Sequence, residues 1–171
     1  APRSGGKQLV NAAVLLQDGA RTAWQAKTLL PTYDVFDENR YFVPAETRSL
    51  ASIGGRQVGL SVCEDAWVDA IGYALDPVGE QARAGAELAL NLSASPFNVG
   101  KAAFRRRMLA ELARKHGIPI AFVNQVGGND ELVFDGGSFA VDAAGRPLAA
   151  LPLFEPALEI VDVHPGAAVV P

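Results

Sequence analysis

The chain has 171 residues, 49% hydrophobic and 20% charged, with a net charge of −4 and a pI of about 5.1. That is enough for one soluble domain with a sizeable core, and the acidic balance argues against nucleic-acid binding, which draws on a basic excess. One cysteine rules out a disulfide within the chain and favours a reducing, cytoplasmic setting.

No apolar run approaches the roughly 20 residues that a membrane-spanning helix needs, so no membrane partner is expected. Cys63, His116 and His164 lack zinc-ligand spacing, and no metal site is expected. The first residues, Ala-Pro-Arg-Ser-Gly-Gly, lack the charged and apolar regions of a signal peptide. They also lack an initiating methionine, which fits a processed or truncated piece.

Residues 10–16 (VNAAVLL) are apolar and end at Gln17-Asp18-Gly19, which predicts a strand, a tight turn and a second strand over 22–27. Residues 29–45 are rich in aromatics and turn formers and predict a long ordered loop. Residues 57–62 (QVGLSV) predict a buried strand ending at Cys63-Glu64-Asp65. A helix is expected over 79–86, ending near Gly85, and a buried strand over 87–92. Residues 101–116 predict an amphipathic helix with Phe104, Met108 and Leu112 on one face and Arg105, Arg106 and Lys115 elsewhere. Gly117 stops it. A strand over 120–124 follows. Residues 137–142 and 148–151 flank a hairpin-like turn at Asp142–Arg146, and a strand over 159–163 precedes an extended proline-rich tail. Alternating strands and helices predict an α/β fold, and the late hairpins make its sheet mixed.

Cys63 stands at the end of a buried strand. Free cysteines are commonly buried core residues. A reactive one needs a nearby base or cation to form the thiolate. Glu64 and Asp65 would raise the thiol pKa, so a cation must come from elsewhere. Lys27, at the end of an earlier strand, is the candidate; its ordinary role is a solvated surface lysine. Beside a reacting carbonyl, an ammonium stabilises the developing oxyanion. His116 ends a polar helix and His164 precedes a proline, so both are expected on the surface. Arg105-Arg106-Arg107 is read as a solvated helix face. Gly54-Gly55 and Gly127-Gly128 form no phosphate-loop fingerprint and are read as turns.

Four segments taken together, KTLLPTYDVFDENRYF (27–42), SVCEDAW (61–67), NLSASPFNVGK (91–101) and NQVGGNDELVFDGGSF (124–139), resemble the glutaminase domain of glutamine-dependent NAD(+) synthetases, within the nitrilase superfamily. SVCEDAW alone points only to the superfamily; the two longest segments favour the synthetase branch. The resemblance implies a four-layer α-β-β-α sandwich, N-terminally truncated, filling residues 1–171. It implies Cys63 as nucleophile, Lys27 as the catalytic lysine and Glu38 as a supporting glutamate. Tyr33, Ser95 and Lys101 fall on glutamine-contacting positions; Ser95 is preferred over Ser93 by its six-residue spacing to Lys101. Their ordinary roles are a packed loop tyrosine, a turn serine before Pro96 and a solvated lysine.

The resemblance also implies L-glutamine as substrate, no cofactor in this domain, and ATP with Mg²⁺ in a synthetase domain of the same polypeptide. Homo-oligomers are common in the superfamily. One departure is large. The family's catalytic glutamate precedes this chain, and residues 1–26 contain no glutamate. The isolated chain is therefore expected to be inactive. Two other readings stay open: a stand-alone amidase or carbamoylase, and a non-catalytic interaction module on the same fold.

Overall fold

A computed structural model of the protein describes residues 9–164. The N-terminal Ala-Pro-Arg-Ser-Gly-Gly stretch and the tail beyond residue 164 lie outside the described residues. Strands β1 (Ala12–Gln17) and β2 (Ala20–Ala26) form the expected hairpin, pairing Val14 with Trp24. The long loop carries one helical turn, α1 (Glu38–Tyr41). Next comes a hairpin of β3 (Leu50–Ile53) and β4 (Arg56–Val62). Its turn is Gly54-Gly55, where φ of +57° and +78° requires residues without a Cβ. Strand β3 has no counterpart in the sequence-based reading, because four residues carry too little periodicity to register.

A 3₁₀ turn (Cys63–Ala66) and the short helix α2 (Val68–Ile71) follow β4. Helix α3 spans Pro77–Arg83, starting two residues before the predicted 79–86. Asp76 caps it through the Gly79 N–H, and Pro77 opens it, as both residue types favour. Strand β5 (Leu88–Ser93), helix α4 (Lys101–His116) and strand β6 (Ile120–Asn124) lie close to their predicted places. Gly127 and Gly128, read as a turn, instead lie in β7 (Val126–Asn129), which pairs with β8 (Leu132–Asp135). Strands β9 (Phe139–Val141) and β10 (Pro147–Ala150) make the late hairpin. Residues 159–163, predicted as a strand, form none. They have no ladder partner among the described residues, and nearby Leu158 and Ile160 are almost wholly exposed.

The main sheet has the order β10-β9-β6-β5-β4-β3, with a parallel β4-β5-β6 centre and antiparallel edges. One face packs under α3 and α4 through Val78, Leu109, Leu112, Ile120 and Phe122. The other packs on the β1–β2 hairpin through Ala13, Val58, Leu60 and Val62. The stack of helices, sheet and hairpin is the α/β architecture expected, in three of the four layers that the resemblance implies. Parallel strands leave their carboxyl ends together, where α/β folds place their sites. Cys63, Ser93 and Asn124 end those strands or directly follow them.

His116, predicted to be exposed, is mostly buried, with Nε2 2.9 Å from Asp76 Oδ2. Lys115 Nζ lies 3.4 Å from the same carboxylate. Burial works against the charged form of Asp76, but His116, the Gly79 N–H and Lys115 outweigh it and bring its pKa from 3.8 to about 2. A depressed carboxylate stabilises the fold above its unfolded pKa, and that contribution fades as pH falls. The melting temperature should therefore drop between about pH 4 and pH 2. Asp76→Asn keeps the cap but removes the charge, and should flatten this part of a pH–melting profile. An unchanged slope would show that other carboxylates carry it.

Candidate active site

Strand β4 ends at Val62, and the chain turns sharply at Cys63, which has φ +45°. A non-glycine residue in the left-handed region stores strain of the kind that collects at functional sites. Asp65 holds this turn. Its carboxylate accepts N–H bonds from Val62 (3.0 Å), Thr28 (2.9 Å) and Leu29 (2.8 Å). Burial raises its pKa to about 6, against the pull of those three donors. One side chain thereby staples the Cys63 turn to the chain that leaves β2, and Lys27 is brought beside Cys63.

Lys27 is 1% exposed, and its Nζ lies 2.7 Å from Glu38 Oε1. Lys27, Glu38 and Cys63 line one cavity of about 400 Å³ with Phe36, Ser93 and Phe134. A buried ammonium demands such a partner, and α1 exists to deliver it: Glu38 is its first residue. Glu38 Oε2 is buried and has no hydrogen-bond partner. An unmatched buried carboxylate oxygen at a cavity wall is a place for a ligand donor.

Burial pushes the Cys63 thiol up; Lys27 and the Ser93 hydroxyl draw it down, and Glu64 and Glu38 oppose them. The expectation that Glu64 raises the thiol thus holds. A thiol raised in this way acts as a nucleophile only if a base takes its proton. Glu38 is the one carboxylate among the described residues lining the cavity, and it is already paired with Lys27.

Tyr33 stands outside that lining, with its hydroxyl 2.6 Å from Glu64 Oε1. Tyr73 donates to the same oxygen at 3.0 Å. Burial first, and then Glu64, push both phenols well above their usual values, so both remain donors. Glu64 is 3% exposed and sits next to Cys63, an acidic anchor that the sequence-based reading took only as a neighbour of the thiol. Lys101 opens α4 and lies 5.5 Å over the Trp67 ring. Burial and the nearby Arg105 charge lower its pKa.

Ser95 is buried away from the cavity. Its N–H donates to Asn124 Oδ1 at 2.9 Å, and its Oγ accepts from Arg105 at 3.3 Å. Ser93, two residues earlier, lines the cavity instead. Arg105 corrects the reading of the arginine run as a solvated face. It is 1% exposed and pairs with the fully buried Asp135 at 2.5 Å. The signal was available: Arg105, Met108, Leu109 and Leu112 form an i, i+3, i+4, i+7 stripe, and all are buried. Among the described residues, no group of three or more His, Cys, Asp or Glu side chains is placed to hold a metal, and no helix is long and apolar enough to cross a membrane.

Residues 1–168 match the carbon-nitrogen hydrolase family. A glutamine-dependent NAD(+) synthetase of Synechocystis is 42% identical over 166 residues, 94% of this chain and 30% of that protein. One from Thermotoga maritima is 43% identical over 153 residues, 90% of this chain and 26% of that protein. The chain thus spans under a third of the length of these relatives. The solved NAD+ synthetase of Acinetobacter baumannii, in complex with ADP, superposes with a TM-score of 0.80 at 34% identity, over 91% of this chain and 28% of that one. A mutant of the amidase from Nesterenkonia sp. AN1, carrying the acetamide moiety of fluoroacetamide on its active-site cysteine, gives 0.70 at 33% identity, over 83% and 51%. With its motifs, its sheet and its family match in agreement, the chain belongs to the carbon-nitrogen hydrolases and is similar in sequence to the domain of that kind in glutamine-dependent NAD(+) synthetases.

Proposed function

We propose that this chain is the glutamine-hydrolysing part of a glutamine-dependent NAD(+) synthetase, with Cys63 as nucleophile. The observation that carries this is the Cys63–Lys27–Glu38 cavity, with its buried Lys27–Glu38 ion pair and its unmatched carboxylate oxygen. A carboxylate from outside this chain takes the thiol proton. Sγ then attacks the side-chain amide carbon of L-glutamine, and the amide π electrons move to oxygen. The Lys27 ammonium and the backbone N–H after Cys63 hold that oxyanion. The base returns its proton to nitrogen, the C–N bond breaks, and ammonia leaves a glutamyl thioester. Water, deprotonated by the same base, releases glutamate and restores the thiol.

Tyr33, Ser95 and Lys101 belong to the same proposal as glutamine-holding positions. Lys101 supplies a cation for the substrate carboxylate. Ser95, bonded to Arg105 and Asn124, contributes by anchoring the loop that leads to Lys101. The ammonia goes to a synthetase domain on the same polypeptide, where bound ATP and Mg²⁺ would supply the activation of the acid that becomes NAD. No step of the hydrolysis runs through ATP or Mg²⁺. Self-assembly and a cytoplasmic location complete the proposal.

The test is an amide panel run on the complete polypeptide and on the isolated chain. Glutamate release from glutamine is expected for the complete polypeptide, and a rate lower by ~10²–10⁴-fold for the isolated chain, which lacks the base. Preference for short aliphatic amides would favour the amidase reading, which the Nesterenkonia likeness supports. No turnover of any amide would favour the interaction module. Rapid labelling of Cys63 in the isolated chain by a diazo-ketone glutamine analogue would sink the claim of inactivity.

A further inference from the structure

Ser93 and Ser95 flank Ala94, and the fold sends them to opposite tasks. Ser95 is committed to Arg105 and Asn124. Ser93 ends β5 and faces the cavity beside Cys63. Its backbone is pinned, because its carbonyl accepts the Gln125 N–H at 2.9 Å. Its remaining freedom is rotation of the hydroxyl.

The directions of the hydrogen bonds beneath the nucleophile follow from one another. The Ser61 hydroxyl donates to Leu90 O at 3.1 Å, so its oxygen accepts from Asn91 Nδ2 at 3.0 Å. The same amide group donates to Cys63 O at 3.3 Å, which helps hold the strained turn. Asn91 Oδ1 must then face the other way, where it accepts the Ser93 O–H at 2.7 Å. Ser61 and Asn91 are opposed in the β4–β5 ladder, and each is 1% exposed. Neither Ser61 nor the Asn91 amide can flip without stranding a buried donor or acceptor, whereas the Ser93 hydroxyl can turn at the cost of its one bond to Asn91 Oδ1. With its proton given to Asn91, Ser93 offers the cavity only an acceptor.

We propose that Ser93, which lines the cavity with Cys63, is a positioning residue for the nucleophile: its hydroxyl, given to Asn91 Oδ1 at rest, turns to donate to the Cys63 thiolate once the base has taken the thiol proton. Asn91 sets the resting orientation and, through Cys63 O, the place of the sulfur. The Ser93 hydroxyl acts in the same direction as Lys27 on the thiol, after burial and Lys27 in size. The other charged or titratable groups around Cys63 are Lys27 from the end of β2, Tyr33 from the loop before α1, Glu38 from α1, Glu64 from the 3₁₀ turn and Lys101 from α4. None of them needs Ser93 for its own partner. The proposal rests on Cys63 being the nucleophile.

The experiment is the pH dependence of Cys63 alkylation by iodoacetamide in the complete polypeptide, read on the Cys63 peptide by mass spectrometry. Ser93→Ala is expected to move the alkylation midpoint upward by about one pH unit, the scale of one hydrogen bond to an ionised group. Ser93→Thr keeps the hydroxyl and should hold the midpoint near its original value. A merely structural serine would change the melting temperature and leave the midpoint alone. Should Ser93→Ala unfold, Ser93→Gly, which also lacks the hydroxyl, reads the same shift. An unmoved midpoint, or one that Thr fails to restore, overturns the proposal. Iodoacetamide reads the thiol whatever the substrate, so absent glutamine hydrolysis would tell against the functional reading and the midpoint would decide this one.

Discussion

Replacing Cys63 by alanine in the complete polypeptide is expected to abolish glutamine hydrolysis, with a loss on the order of 10⁴-fold or more, the scale seen when a nucleophile is removed. In the proposed mechanism, Lys27 and the backbone N–H after Cys63 act on the oxyanion formed when that sulfur attacks. Lys27 is buried against Glu38 beside it, and Asp65 joins the two segments that carry them. Without the sulfur, these groups can bind an amide but can form no thioester. Fold and assembly should be untouched, since alanine is smaller and Cys63 is only partly buried. Any synthetase activity fed by added ammonium should survive. The assay is glutamate release, with ammonium-fed activity as the control. Residual hydrolysis above a few per cent would mean that another group attacks.

Truncating Asp135 to alanine is expected to be the most damaging single change to stability, costing roughly 3–5 kcal/mol. Arg105 and Asp135 are 1% and 0% exposed, so water cannot replace a lost partner. Breaking such a pair leaves an uncompensated buried charge. The damage also spreads. Arg105 holds Ser95, and Asn124 binds Ser95, Asp135 and Gly136, so the loop before α4 and the β7–β8 hairpin would loosen together. Removing both charges, as Arg105→Met with Asp135→Leu, should recover much of the loss, because an apolar pair strands no charge. Urea unfolding of the two variants measures the difference. A single variant within about 1 kcal/mol of the parent would show that the pair is not what holds this corner.

Much of this protein could be read along the chain. Helix α4 announces itself by periodicity, Gly54-Gly55 by its turn chemistry, and β4 by an apolar run that ends at Cys63. The four ordered segments led to the family that the chain belongs to, and the cysteine, lysine and glutamate named from them line one cavity. These are local signals, or residue types in a fixed order, and both survive without knowledge of contacts.

What the sequence left open depends on neighbours far apart in the chain. Arg105 reads as a surface charge until Asp135, 30 residues away, is found against it. His116 reads as exposed until α3 places Asp76 beside it. Residues 159–163 have the composition of a strand, but a strand exists only where another strand accepts its hydrogen bonds. Spacing to Lys101 prefers Ser95, but it does not say which of the two serines faces the cavity, since both stand near the end of β5. The twist of the chain past that end turns one toward Cys63 and the other toward Arg105. Order and local periodicity therefore determined the family, the main elements and three residues that line one cavity. The tertiary structure decided which charges are buried, which way each hydroxyl points and what surrounds the sulfur, because burial and hydrogen-bond partnership are properties of the packed chain.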